Sequence, residues 1–162
     1  LHYFKMRKRL IYILFLSLFF TSACGFKVVN QSELINFSIL EITTSGNQRI
    51  NYIIKNKLAF LKNNKNNQKL NLKLETTKNK IIKEKNIKNE ITKYQILITV
   101  HVKIESYNSK IREIFLIKDS GSFNVSQQHS QTLNNERNLI ELLSNTMADK
   151  ILNELVLKLN DL

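Results

Sequence analysis

The chain has no proline, only three glycines and a single cysteine among its 162 residues. The lack of proline rules out rigid linkers, and three scattered glycines cannot form a glycine-rich loop around a nucleotide phosphate. One thiol cannot close an internal disulfide, so no disulfide framework holds the chain together. Acidic residues are also scarce: 13 Asp and Glu stand against 25 Lys and Arg, giving a formal net charge of +12. Such an excess favours polyanions, among them nucleic acid, anionic lipid and phosphorylated glycolipid. Asn, Lys and Ile recur along the whole chain, as in a nucleotide-biased genome, so no single Lys-rich stretch is diagnostic on its own. Apolar residues are plentiful. At 43% hydrophobic, the chain can bury a core, and its length suits one domain.

Lys5, Arg7, Lys8 and Arg9 precede an almost unbroken apolar run from Leu10 to Phe20, followed by Thr21, Ser22, Ala23 and Cys24. A basic segment, an apolar segment and then small residues is the order of a secretory signal. A helix rises about 1.5 Å per residue and needs roughly 20 residues to cross a bilayer core, so this run is too short for a permanent span. The one cysteine stands where bacterial lipoprotein signals place the residue that receives diacylglycerol. The sequence therefore predicts a signal peptide over 1–23, lipid attachment at Cys24 and a tether over 24–34. Removing the four leader charges from +12 leaves +8 on the mature chain. Gly25 follows the cysteine where an aspartate would signal retention in the inner membrane. The expected location is the outer membrane, lipid-anchored and facing the periplasm, where about two acyl signals suffice for stable anchoring.

Beyond the tether, residues 35–162 are expected to form one domain. Ile35, Phe37 and Ile39 alternate with polar residues and predict a strand over about 35–42. Ser45 and Gln48 have the spacing of a capping box, and Ile50, Ile53, Ile54, Leu58 and Leu61 follow on one helical face, ending near Lys62. Leu70, Leu72 and Leu74 begin a second strand, which continues less regularly to Ile82, with a hairpin tip over 85–90. Tyr94, Ile96, Ile98, Val100, Val102 and Ile104 form the apolar side of a third strand, and its other side is polar. Ile111 to Ile117 predicts a fourth strand, with a bulge or bend at Asp119-Ser120-Gly121 before Phe123 and Val125. From about Asn135, Ile140, Leu143, Met147, Ile151, Leu155 and Leu159 mark a long amphipathic helix whose stripe is expected to be core. The order β-α-β-β-β-α predicts an α+β two-layer sandwich, with two helices on one face of a four-stranded mixed or antiparallel sheet. Strand order stays open, and the first strand could lie parallel to a neighbour after its helical crossover.

Little in the chain looks like catalytic chemistry. His2, His101 and His129 are isolated, and no ligand spacing for a metal surrounds them. No nucleophile elbow is present, and Glu84 and Glu90 flank a loop without an implied cleft. The expectation is a protein that is not an enzyme and holds neither cofactor nor metal. The basic residues carry the binding hypothesis: Lys73, Lys78, Lys80, Lys85, Lys88 and Arg112 are the candidates for contacting lipid phosphate. The competing account is a solvated face in a Lys-rich chain. Nucleic acid is not an expected partner, because a lipoprotein faces away from the cytoplasm and these cations lack aromatic stacking neighbours.

Cys24-Gly25-Phe26 after the leader, the capped helix from Ser45, the strand Tyr94–Glu105, the strand Ile111–Val125 and the closing helix Asn135–Asp161 together resemble the LPS-assembly lipoprotein family, LptE (RlpB). The resemblance spans nearly the whole mature chain as architecture and rests on one tripeptide as sequence. It implies an outer-membrane lipoprotein that plugs and helps assemble the LptD β-barrel and takes part in lipopolysaccharide transport to the cell surface. It also implies direct lipopolysaccharide binding through basic residues. A polar sheet face would suit the hydrophilic lumen of a barrel. The alternative is a stand-alone outer-membrane lipoprotein that binds peptidoglycan, lipid or another envelope protein.

Overall fold

Strict alternation of apolar and polar residues gives a strand one dry and one wet face, and that rule builds most of this domain. A computed structural model describes residues 37–63, 68–106 and 112–160 of the chain. Leu34 to Leu162 form one compact unit. Cys24, the leader and the tether lie outside the described residues, as do residues 64–67 and 107–111.

Strand β1 (Phe37–Gly46) leads into helix α1 (Gln48–Leu58), which continues as a 3-10 turn (Ala59–Asn63). Strands β2 (Gln68–Lys85), β3 (Ile91–Ser106) and β4 (Arg112–Asn124) follow, and helix α2 (His129–Asn160) closes the chain. The sheet order is β1-β2-β3-β4, with β1 parallel to β2 and the other two pairings antiparallel. This is the two-layer α+β sandwich the sequence predicts, with the open question of β1 settled as parallel pairing across the α1 crossover.

The core lies between the sheet and the two helices. Leu70, Leu72 and Leu74 of β2 and Ile96 to Ile104 at every second position of β3 are buried against Ile50, Ile54, Met147, Ile151 and Leu155. Apolar burial at roughly 25 cal/mol per Å² is the main force holding the layers together. Ion pairs sit around its rim. Lys57 of α1 reaches Asp149 of α2 at 2.7 Å, while Lys150 and Lys158 of α2 reach Asp119 and Glu113 of β4 at 2.9 and 3.0 Å.

Three local expectations change. The cap of α1 is Asn47, whose side chain accepts from the Ile50 N–H, and Ser45 belongs to β1. The shift comes from a buried polar knot. The Asn51 side chain donates to the Ser45 carbonyl at 3.0 Å, and the Thr76 hydroxyl donates to Asn51 Oδ1 at 2.8 Å. Gly46, at φ +89°, turns the chain so close to β2 that a Cβ would collide with the Thr76 carbonyl oxygen. Only glycine takes that backbone conformation without strain.

At Asp119-Ser120-Gly121 the expected bulge is absent. These residues pair in continuous register with Ile98, Leu97 and Ile96. Asp119 is drawn into the ladder by Lys150, and Gly121 sits where a Cβ would be 2.6 Å from Leu139 of α2. Helix α2 begins at His129, earlier than the apolar period shows, because its first turns are held by polar contacts. Thr132 accepts from the Ser126 N–H at 2.9 Å, and Asn135 donates to the Asn124 carbonyl at 3.2 Å.

Candidate functional site

Parity along β2 decides where its lysines point. Leu70, Leu72, Leu74 and Thr76 face the helices, so Lys78 and Lys80 continue that side, and Lys73 lies on the open side of the sheet. The basic strand of the sequence is therefore two separate sets of charges.

Lys78 and Lys80 are occupied. Glu136 of α2 accepts from Lys80 at 2.6 Å and lies 3.5 Å from Lys78. The Lys80 ammonium also sits 4.3 Å from the centroid of the Tyr94 ring, which stacks on Phe123 at 5.7 Å. Burial works to raise the Glu136 carboxyl, but the hydrogen bond and charge of Lys80 and the charge of Lys78 outweigh it and hold it below its ordinary value. These two lysines fasten the first turns of α2 to the sheet.

Lys85 and Lys88 belong to the β2–β3 hairpin, which extends beyond the helical layer. Asn86 shapes its tip: the side-chain oxygen accepts from the N–H groups of Lys88 and Glu90, both at 2.9 Å. Asn89 takes a left-handed conformation at φ 63°, which asparagine tolerates. Lys85 donates to Asn89 Oδ1 at 2.9 Å, and Lys93 pairs with Glu84 at 2.7 Å. Among the described residues the Lys88 ammonium has no carboxylate partner, and beside it Ile87 is fully exposed. A lone isoleucine inside Lys-Asn-Ile-Lys-Asn is the sequence signal that marks this tip.

Lys73 lies directly opposite Lys103 of β3, a like-charge pair eased by the 2.8 Å bridge from Lys103 to Glu105. Lys73, Glu75, His101, Lys103 and Ile114 surround a shallow open depression of about 220 Å³. Arg112 opens β4, and its side chain lies outside the described atoms.

Two arginines absent from the sequence candidates stand together near α1. Arg49 and Arg137 line a cleft of about 250 Å³ with Asn47, Lys78 and Glu136. Neither guanidinium meets a carboxylate among the described residues. Their 88-residue separation in sequence hides the pairing until α1 and α2 are packed side by side. The site can attract phosphate or carboxylate groups electrostatically. Among the described residues no three His, Cys, Asp or Glu side chains are placed to hold a metal, and no helix is long and apolar enough to cross a membrane.

No protein-family model and no curated protein sequence matches the chain. Solved structures do. Rare lipoprotein B from Shewanella oneidensis superposes with a TM-score of 0.59 at 11% identity, covering 75% of this chain and 97% of that one. A minor lipoprotein from Acinetobacter baumannii gives 0.57 at 16% identity, over 76% and 93% of the two chains. Lipoprotein B from Nitrosomonas europaea gives 0.56 at 13% identity, over 79% and 88%. The chain has the fold of these proteins.

Proposed function

We propose that this chain is a lipid-anchored outer-membrane lipoprotein of the LptE (RlpB) family, a component of lipopolysaccharide assembly that sits within the LptD barrel. The observation that carries the reading is the shared fold with rare lipoprotein B over 97% of that protein's length. A second support is Cys24-Gly25-Phe26 after a basic and apolar leader, which gives an anchoring chemistry consistent with the neighbours' description as lipoproteins. The open face of the sheet supplies a third. Lys73, Glu75, Gln95, Thr99, His101 and Lys118 give it the mixed polarity that a hydrophilic lumen would accept.

Within this reading the role is structural and binding rather than catalytic. Lipopolysaccharide phosphates would meet cations that have no carboxylate partner among the described residues, such as Lys88 at the hairpin tip, Lys73 on the open face and the arginines of the Arg49–Arg137 cleft. Lys78 and Lys80 serve α2 first.

The test is a gentle-detergent pull-down of the tagged full-length protein followed by mass spectrometry. Recovery of one large outer-membrane barrel in near-equal amount supports the reading. Recovery of the protein alone, or with cell-wall fragments, replaces it with a stand-alone envelope lipoprotein. Cys24→Ser should abolish incorporation of labelled palmitate into the protein, and unchanged labelling would remove lipid attachment at Cys24 from the account.

A further inference from the structure

The two edges of the sheet are unequal. Strand β1 has a register shift between Ile39 and Glu41, which breaks its ladder and places a charge on the edge, two of the usual protections against unwanted strand pairing. Strand β4 has no such shift, and its Glu113 and Asp119 are turned to Lys158 and Lys150 of α2, which leaves Lys118, among the described side chains, as the charge on its open side. The strand runs thirteen residues, Arg112–Asn124, in unbroken register with β3, and no described strand pairs with its outer side.

Its side chains match a missing neighbour. Ile114 and Leu116 project from the open face at 69% and 46% exposure, with Lys118 next in the same row. Lys118 has no carboxylate partner among the described residues. On the helical side, Leu157 is two turns beyond Lys150, the residue that reaches β4, and so lies on the same flank at 62% exposure. Both layers thus leave apolar surface at one edge, next to backbone donors and acceptors that no described strand pairs.

We infer that the outer edge of β4 receives an extended segment of another protein as a fifth strand. Backbone pairing would supply affinity, and alternate side chains would supply selectivity. The incoming strand is expected to place apolar residues against Ile114 and Leu116 and an acidic residue against Lys118. The inference rests on the proposed function for its partner: the segment belongs to the barrel that surrounds this protein. A second copy fits less well. Antiparallel pairing of two β4 strands about a twofold axis would aim the Phe37 ends of the copies in opposite directions, which suits two chains tethered to one membrane poorly.

The experiment places a photo-crosslinking amino acid at position 114, 116 or 118 of the full-length protein in cells, with Tyr52 on α1 as the exposed control. It also compares barrel recovery by wild type and by Ile114→Lys/Leu116→Lys. Strand addition predicts crosslinks from the three β4 positions to one contiguous barrel segment, stepping by two residues, and none to that segment from Tyr52. It also predicts at least a tenfold loss of barrel recovery in the double variant, with its melting temperature unchanged. Crosslinks scattered over the barrel wall, crosslinks between two copies, or full recovery by the double variant would overturn the inference while leaving the barrel partnership intact. If wild type recovers no barrel, the functional reading fails, and the partner assigned to β4 fails with it.

Discussion

Replacing Glu136 with glutamine keeps the size of the side chain and removes the charge that holds two lysines. The carboxylate is 15% exposed, 2.6 Å from Lys80 and 3.5 Å from Lys78, while the lysines are 33% and 27% exposed. A charge-assisted hydrogen bond contributes about 1.5–3 kcal/mol when well shielded, and an exposed ion pair about 0–1 kcal/mol. With both lysines partly in water, the expected loss for Glu136→Gln lies between those ranges, at about 1 kcal/mol. For a domain of this size that corresponds to a fall in melting temperature of roughly 3–6 °C. The pH dependence fixes the cause. Because the folded carboxyl titrates below its ordinary value, its stabilisation is present above the unfolded pKa of about 4.3 and is lost as pH falls through the lower folded value. Thermal unfolding at pH 7 should therefore separate wild type from variant, and at pH 3 the gap between the two curves should be smaller. An equal gap at both pH values would refute the electrostatic account and assign the loss to packing.

Asn51→Ala removes both contacts of the buried Asn51 side chain, to the Ser45 carbonyl and the Thr76 hydroxyl, and should cost about 2–3 kcal/mol in denaturant unfolding. A loss below about 0.5 kcal/mol would mean that water replaces the asparagine. Gly46→Ala meets both the positive φ and the Thr76 carbonyl, so it should cost at least about 2 kcal/mol by the same measurement. Met147→Ala empties a fully buried position of α2 and should cost about 2–5 kcal/mol, while Leu142→Ala on the exposed side of the same helix should stay within about 0.5 kcal/mol. Equal effects at the two positions would contradict the assignment of faces.

Periodicity revealed the elements that bury one clean face. Leu70-Leu72-Leu74, Tyr94 to Ile104 and Ile140 to Leu159 each repeat with the period of the structure they form, and each is buried where the pattern places it, Tyr94 only in part. Signals of local composition were weaker wherever distant residues intervened. Asp-Ser-Gly favours a bend in isolation, yet with Lys150 and Leu139 of α2 against it the segment stays in a continuous ladder. Ser45 and Gln48 satisfy a capping pattern, but Thr76 of β2 draws Ser45 into the knot and leaves Asn47 as the cap. The start of α2 carries a single apolar residue, the exposed Leu133, so no apolar period marks it and its hydrogen bonds to the end of β4 had no sequence signature.

The candidate site shows the same limit in terms of charge. Lys73, Lys78 and Lys80 look continuous in sequence, although strand parity already separates Lys73 from the other two. What parity cannot supply is Glu136, which lies 56 residues beyond Lys80 and neutralises the pair only once α2 has docked. Lys57, Lys93, Lys103, Lys150 and Lys158 also have carboxylate partners within reach. Much of the net charge of +12 therefore coexists with local neutralisation, and the total does not locate a ligand. An anion is drawn to cations without partners, and among the described residues these include Lys88 at the hairpin tip, Lys73 on the open sheet face and the arginines where α1 meets α2. Those positions are set by tertiary packing, so a Lys-rich sequence can show how much positive charge the chain carries but not where it remains free.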